Sequence, residues 1–306
     1  MIPLCAPENA KLPTALALGS FDGLHLGHKK VINAILNEPI GVPTVVSFWP
    51  HPREVLFGES RLRLDLPNEK TFLLEPLGIE QLVLVPFNKN LASKSAETFV
   101  EEVLAKTLHA KHIAVGENFR FGRNREGDTS TLEKIGASLG MKISIVPIVK
   151  DNHGRLSSSR VRKALNDGDL KLAKYLLKRP YTFRGTVEKG RGLGKKIGWP
   201  TANLKIDGRK FLPSLGVYAA WASIANKKER FLAVMNMGPQ PTIDPNSLSA
   251  VEVHLLDKEI NLLGHELIIE PVQRIRLQKK FENIDALSEQ ISLDAILAKE
   301  ILTKKL

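Results

Sequence analysis

Thr14-Ala15-Leu16-Ala17-Leu18 runs straight into Gly19-Ser20-Phe21-Asp22-Gly23-Leu24-His25-Leu26-Gly27-His28, and from there into an apolar pattern of helical spacing over 26–36. So short an uncharged run reads as a strand buried on both faces. The glycines read as a tight turn, and the remainder as a helix lying back over the strand. Working outward, the same succession returns. Strand-like runs fall at 44–48, 82–87, 112–115 and 143–149, and helical patterns at 69–77, 96–108 and 131–139, the last with a capping-box signal in Ser130 and Glu133. This β-α-β-α rhythm implies an α/β domain, a parallel sheet with helices on both faces, whose ligands gather at the carboxyl ends of the strands.

After the fifth strand, 157–162 opens the first of two short helical pieces; the second runs from near Asp169 to about Leu177, and Arg179-Pro180 breaks the pattern. The period then changes to two. Segments 181–188, 216–224, 231–235, 250–256 and 267–275 read as strands, with a turn at Asn226-Lys227-Lys228. Several antiparallel strands in so short a span predict a small all-β barrel. Ile284, Leu287, Ile291, Ala295, Ala298 and Leu302 share one face of a closing C-terminal helix. The expected organisation is an α/β domain over 1–180 and an antiparallel barrel with a C-terminal helix over 181–306.

The 306 residues carry 44 Lys+Arg against 33 Asp+Glu, a net charge of +11, which favours anionic partners. The excess is spread over both halves without a basic tail. Aromatics are only 6%, so a stacking platform for nucleic acid is poorly supplied. No apolar run approaches the ~20 residues of a membrane span, and the N-terminus lacks a basic-then-apolar leader. Cys5 is the only cysteine, which excludes an intramolecular disulfide and a cysteine-based zinc site. The expected class is a cytoplasmic enzyme acting on phosphorylated small molecules, with no nucleic-acid or membrane partner. Homo-oligomer formation is left open.

His25 and His28, at i and i+3, fall on neighbouring positions of the first helical turn, beside free backbone N–H groups and the positive end of the helix dipole. That arrangement suits a polyphosphate, with the histidines and Arg162 expected to contribute positive charge. The alternatives are two ordinary surface or core histidines and a metal pair, and the lack of a nearby third ligand argues against the metal. Gly19, Gly23 and Gly27 let a nucleotide approach the backbone. Two further clusters follow strand ends: Phe48-Trp49-Pro50-His51-Pro52-Arg53, a rigid turn presenting His51, and Gly116-Glu117-Asn118-Phe119-Arg120-Phe121-Gly122. Either is also plain loop architecture. Ser157-Ser158-Ser159-Arg160-Val161-Arg162 starts a helix with hydroxyls and guanidinium groups, caps on any helix but equally a cradle for pyrophosphate.

In the second half, Gly185, Gly190, Gly192, Gly194 and Gly198 are interspersed with Arg191, Lys195 and Lys196, as a phosphate-wrapping loop requires, although a glycine-rich hairpin loop needs no more. Pro200-Thr201-Ala202-Asn203 follows. Thr201 and Asn203 alternate on a strand and point the same way, offering a hydroxyl and an amide oxygen, hard ligands fit for Mg²⁺. Glu252, flanked by Val251 and Val253, is a carboxylate on an alternating strand. It reads as an outward-facing residue or as a base.

Gly19–His28, Phe48–Pro52, Gly116–Gly122 and Ser157–Arg162 resemble the adenylyltransferase half of prokaryotic bifunctional FAD synthetases, within the wider His-x-Gly-His nucleotidyltransferases of Rossmann-like fold. The glycine-rich loop, Pro200–Asn203, Asn236-Met237-Gly238 with Pro241-Thr242, and Val251-Glu252 resemble riboflavin kinases. The likeness implies phosphorylation of riboflavin by ATP in the C-terminal half and adenylylation of FMN by a second ATP, giving FAD and pyrophosphate, in the N-terminal half. By the same likeness His25 and His28 act on ATP, with Gly19, Phe21, Asp22, Gly23, Asn118, Ser158, Ser159 and Arg162 in its site. His51 and Pro52 belong to the ATP/FMN turn. Glu252 is the general base, and Thr201 and Asn203 hold Mg²⁺ and phosphates, with Gly185, Gly190, Gly192, Gly194, Gly198, Pro200 and Asn236 around them. Ser159 stands where the family often has threonine, and its hydroxyl is retained. Two competing expectations are an adenylyltransferase for another phosphorylated acceptor with a non-catalytic barrel, and a basic nucleic-acid-binding protein.

Overall fold

A computed structural model describes residues 1–38, 40–190, 194, 198–238 and 251–304. Contacts divide the chain into two units, Met1–Arg61 with Asp65–Ser157, and Leu62–Leu64 with Ser158–Leu306.

The first unit contains β1 (Leu4–Cys5), β2 (Thr14–Leu18), β3 (Val42–Trp49), β4 (Gln81–Pro86), β5 (Ala110–Gly116) and β6 (Lys142–Val146). They form one parallel sheet in the order β1-β4-β3-β2-β5-β6. Its helices are α1 (Leu26–Leu36), α2 (Pro52–Phe57), α3 (Pro67–Leu74), α4 (Lys89–Ser93), α5 (Ala96–Phe99) and α6 (Thr129–Ser138). α5 continues as a π-helical stretch, Val100–Thr107, closed by the Leu108 N–H donating to the Val103 carbonyl at 3.0 Å. Strand parity builds two cores. Ala15 and Ala17 of β2 face one side with Val45, Leu82 and Ile32 and Ile35 of α1; Leu16 and Leu18 face the other with Val46, Val83, Leu104 and Leu132. Burial on both faces is why β2 carries no polar alternation. A short hairpin, β7 (Lys150–Asp151) with β8 (Gly154–Arg155), follows the sheet.

Strand order runs one way from β2 through β3 and β4, and the other way through β5 and β6. The carboxyl ends of β2 and β5 therefore flank the topological switch point, where open α/β sheets bind ligands.

Three local expectations change. α6 is capped by Asp128, whose Oδ1 accepts the Thr131 N–H at 2.9 Å and the Thr131 hydroxyl at 3.0 Å, not by Ser130. An ionised acceptor at the positive helix end outcompetes a hydroxyl. The stretch 48–53, read as a rigid turn, instead ends β3 and opens α2, with Pro52 in the first helical turn and Gly58 ending the helix at φ +64°. β1, only two residues long, gave no periodicity to read.

The second unit begins with α7 (Ser158–Asp167) and α8 (Leu170–Leu177). Its barrel strands are β9 (Phe183–Glu188), β10 (Ala202–Lys205), β11 (Gly216–Ile224), β12 (Phe231–Met237), β13 (Val251–Leu255) and β14 (Glu266–Arg276), followed by α9 (Ile284–Thr303). The barrel closes antiparallel in the order β10-β13-β12-β11-β14-β9. α8 packs against β14, and the Ser214 N–H donates to the Leu165 carbonyl at 3.1 Å, so both short helices pack with the barrel although they precede Arg179-Pro180. Leu62–Leu64 joins the same unit. Arg63 bridges Lys210, and the Leu64 carbonyl accepts from Lys210 Nζ at 2.6 Å and from the Tyr181 hydroxyl at 3.2 Å. Ala295, Ala298 and Leu302 of α9 seal Val217, Ala219 and Val234 on the outer barrel face, whereas Ile284, expected on that buried face, is 64% exposed.

Candidate active sites

In the first unit the turn after β2 is unusual backbone. Phe21 and Leu24 have φ of 45° and 43°, with Gly23 at 91° between them, and both apolar side chains are buried. Left-handed conformations cost about 1–3 kcal/mol each, and they persist where packing over-determines them. Here Phe21 and Leu24 anchor in the α1 core. Lys70 Nζ and the Ser47 hydroxyl donate to the Ser20 carbonyl and the Asp65 N–H to Asp22 Oδ1, fixing the loop further.

His25 ends that turn as the residue preceding α1, and His28 lies one turn on. Their rings stack with centroids 3.7 Å apart and planes inclined by 18°, and Phe21 lies against His28 at 5.3 Å. Gly27 makes this geometry feasible, because a Cβ there would lie 3.1 Å from His25 Cε1. Nδ1 of each histidine is buried without a hydrogen-bond partner. Burial pushes His25 down to about 4, aided by the Arg155 guanidinium and opposed by Asp22. Burial, then His25, Lys70 and Arg155, hold His28 well below the ordinary histidine range. Both imidazoles are therefore neutral at pH 7. The expectation that they carry positive charge is corrected: two stacked, desolvated rings cannot both ionise. They act as hydrogen-bonding groups at the helix end.

Asn118 follows β5, beside the β2 end, in a turn held by the Glu117 N–H donating to the Val146 carbonyl at 2.9 Å. A Cβ on Gly116 would sit 3.4 Å from its Oδ1. His51 follows β3 and caps α2: its Nδ1 accepts the Arg53 N–H at 3.1 Å, while Glu54 accepts the His51 N–H at 2.8 Å. Ser158, Ser159 and Arg162 stand on α7 in the second unit, where Arg162 donates to the Leu62 carbonyl at 3.2 Å.

The second unit holds a cavity of about 610 Å³ between the outer barrel face and α9. Its polar side follows from strand register. Asn203 on β10 pairs with Glu252 on β13, which pairs with Asn236 on β12, so one row crosses three strands. Directly opposed residues share a face. Val251 and Val253 turn inward, each 1% exposed, so Glu252 turns outward into the covered groove. Thr201 lines the same cavity, and Trp199, Phe281, Leu287 and Ile291 form its apolar side. A Cβ at Gly190 would collide with the Asn203 amide, and one at Gly194 with the Trp199 carbonyl, so both glycines let the chain close around this row. Gly185 lies in β9 against Ile206 and Leu204, where it serves barrel packing and does not line the cavity. Gly198 turns at φ +80°, ahead of Pro200, whose carbonyl meets His254 Nδ1 at 2.7 Å. Gly192, Arg191, Lys195, Lys196, Pro241 and Thr242 lie outside the described residues.

Two family models match the chain, FAD synthetase over residues 8–160 and riboflavin kinase over 177–302. The bifunctional riboflavin kinase/FMN adenylyltransferase of Haemophilus influenzae is 35% identical over 298 residues, 93% of each chain. That of Escherichia coli K12 is 36% identical over 297 residues, 94% of this chain and 93% of that one. The chain belongs to the bifunctional riboflavin kinase/FMN adenylyltransferase family. A solved structure from Streptococcus pneumoniae, described as a macrolide-efflux protein, shares its fold at TM-score 0.83 and 28% identity, covering 97% of this chain and 98% of that one. No helix among the described residues is long and apolar enough to cross a membrane.

The kinase half of this family member also contains a pair that sequence inspection missed. Arg276 at the end of β14 donates to both Asp294 oxygens, Nε at 3.0 Å and a terminal nitrogen at 2.7 Å, and both residues line the cavity. The signal was present: an acid at 294 interrupts the apolar face that Ile291, Ala295 and Ala298 define. Asp294→Ala removes the buried partner of a guanidinium that is itself 20% exposed. The expected result is a loss of about 3 kcal/mol in the second unit's stability, read by denaturant unfolding, with riboflavin phosphorylation impaired because α9 is no longer tied to β14.

Proposed function

We infer that the chain performs both family reactions, each in its own unit. The observation that carries this is the pairing of two unlike sites: an outward row of Asn203, Glu252 and Asn236 under α9, and a neutral histidine pair at the sheet's switch point.

Phosphorylation of riboflavin makes a neutral ribityl hydroxyl the nucleophile toward the γ-phosphorus of ATP. Glu252 accepts its proton as the new P–O bond forms and ADP departs. The apolar wall of Trp199, Phe281, Leu287 and Ile291 takes the flat flavin, and the polar row takes the ribityl chain and phosphates. The donor set suits Mg²⁺. Thr201 and Asn203 offer hard, neutral oxygens, and among the described residues no cluster of three His, Cys, Asp or Glu forms a protein cage. A cation that keeps waters and borrows phosphate oxygens fits that supply. Thr201 and Asn203 would hold it, and when bound it neutralises charge on the transferred group.

Adenylylation makes the FMN phosphate the nucleophile. With a second pKa of about 6 it is already ionised at pH 7, so no base is needed. His25 and His28 donate hydrogen bonds to the phosphates of ATP, beside the open N–H groups of α1, as the α-phosphorus exchanges pyrophosphate for FMN. Asn118 sits at the same carboxyl end of the sheet, and Ser158, Ser159 and Arg162 are nucleotide-binding residues in this reading. His51 and Pro52 shape its FMN rim.

Incubating the purified full-length chain with riboflavin, ATP and Mg²⁺ and resolving flavins by chromatography is expected to show FMN rising first and FAD following. FAD formation from added FMN without any conversion of riboflavin would favour the reading with a non-catalytic barrel.

A further inference from the structure

Beside Glu252, β13 turns a second polar side chain to the outer face of the barrel. His254 follows Glu252 by two residues, so both leave the strand on the same side, and both line the cavity under α9. The His254 ring is half-buried and held. Its Nδ1 lies 2.7 Å from the Pro200 carbonyl, and it meets Trp199 edge to face, with centroids 5.1 Å apart and planes inclined by 73°. A carbonyl oxygen only accepts, so Nδ1 is the nitrogen that carries the proton, and the neutral ring presents Nε2 as an acceptor.

Strand register shows what this bond replaces. β10 and β13 pair Leu204 with Val251, Asn203 with Glu252 and Ala202 with Val253, and the pairing stops there. One step further in the same register, Thr201 would stand opposite His254. Thr201 thus lies just beyond the last paired residue, and the Pro200 carbonyl belongs to the peptide that delivers it. Proline fixes φ at about −65°, so one bond to its carbonyl also settles ψ, and with it the plane of the Pro200–Thr201 peptide. On the preceding side, the Trp199 N–H donates to the Gly194 carbonyl at 2.8 Å, and a Cβ on Gly194 would lie 3.2 Å from the Thr201 hydroxyl. His254 continues with a side chain the hold that the backbone ladder gives up. We propose that His254 is a positioning residue of the riboflavin kinase site, its Nδ1–H on the Pro200 carbonyl setting the Thr201 hydroxyl beside Asn203 for phosphates and Mg²⁺. The proposal rests on reading Thr201 as a residue that holds them.

The test compares full-length His254→Asn, His254→Gln and His254→Ala chains, with Thr201→Val as the reference. The amide nitrogen of asparagine falls near the place of Nδ1, and that of glutamine near the place of Nε2. His254→Asn is expected to keep KM for Mg·ATP in riboflavin phosphorylation within about twofold of the parental value, while His254→Gln and His254→Ala raise it about fivefold, the size of one neutral hydrogen bond. A second readout needs neither metal nor nucleotide. In the ligand-free chain at alkaline pH, long-range ¹H–¹⁵N spectra should show His254 as the Nδ1–H tautomer. An Nε2–H tautomer overturns the proposal, and so does an unchanged KM in all three His254 variants, an equal rise in all three, or rescue by glutamine in place of asparagine. If Thr201→Val raises KM while His254→Ala does not, the proposal alone falls. If Thr201→Val changes nothing, the assignment of Thr201 falls and the proposal with it.

Discussion

Glu252→Gln is expected to lower FMN formation from riboflavin by roughly 10²–10⁴-fold while leaving FAD formation from added FMN unchanged. The substitution keeps side-chain length and volume, so the row from Asn203 through position 252 to Asn236 and the strand pairings beneath it persist. What is lost is the capacity to take a proton. The ribityl hydroxyl is a poor nucleophile while protonated, and no other described carboxylate joins that row beyond Glu188, which pairs with Asn203 from the far side and forms an ion pair with Lys205 at 3.2 Å. Time courses started separately from riboflavin and from FMN separate the two activities. A variant that still phosphorylates riboflavin at the parental rate would remove Glu252 from the chemistry and reduce it to an outward residue of an alternating strand.

Local pattern carried a large part of this architecture because local physics produces it. β2 is a five-residue apolar run since both its faces are covered, and α1 has the same bounds, 26–36, in pattern and structure. β11 likewise keeps 216–224, its alternation set by an interior lined with Tyr218, Ala220 and Ala222 and an outer face under α9. One miss was local, and the rest depends on partners distant in sequence. The capping of α6 turned on which of two acceptors, Asp128 or Ser130, carried a charge. The attachment of Leu62–Leu64 to Lys210 and Tyr181 joins residues more than a hundred positions apart. The same is true of the sites. The spacing of Thr201 and Asn203 placed both on one strand face, but only the register of β12 and β13 aligns Asn236 and Glu252 with them. His25 and His28 were legible as a pair, whereas their charge was not, since desolvation by Phe21 and by each other exists only after folding.

His28→Ala is expected to lower FAD formation from FMN by roughly 10²–10³-fold, the cost of removing one donor aimed at developing charge, and to leave riboflavin phosphorylation intact. The neutral state of the pair sharpens this. The pH dependence of kcat/KM reports ionisations of the free enzyme. With His25 at about 4 and His28 well below its ordinary value, neither ring changes charge between pH 6.5 and 8, and the profile for FAD formation should be flat across that window. A cationic pair would instead lose activity as pH rose through its pKa. The second discriminator is His28→Gln, whose amide keeps an N–H donor without any prospect of charge. If the ring works by hydrogen bonding, glutamine retains more activity than alanine; if it works by charge, the two variants are equally dead. Equal loss together with a falling alkaline limb would show that bound nucleotide drags a proton onto His28, and the neutral-donor account would then give way to one in which ATP binding is coupled to proton uptake.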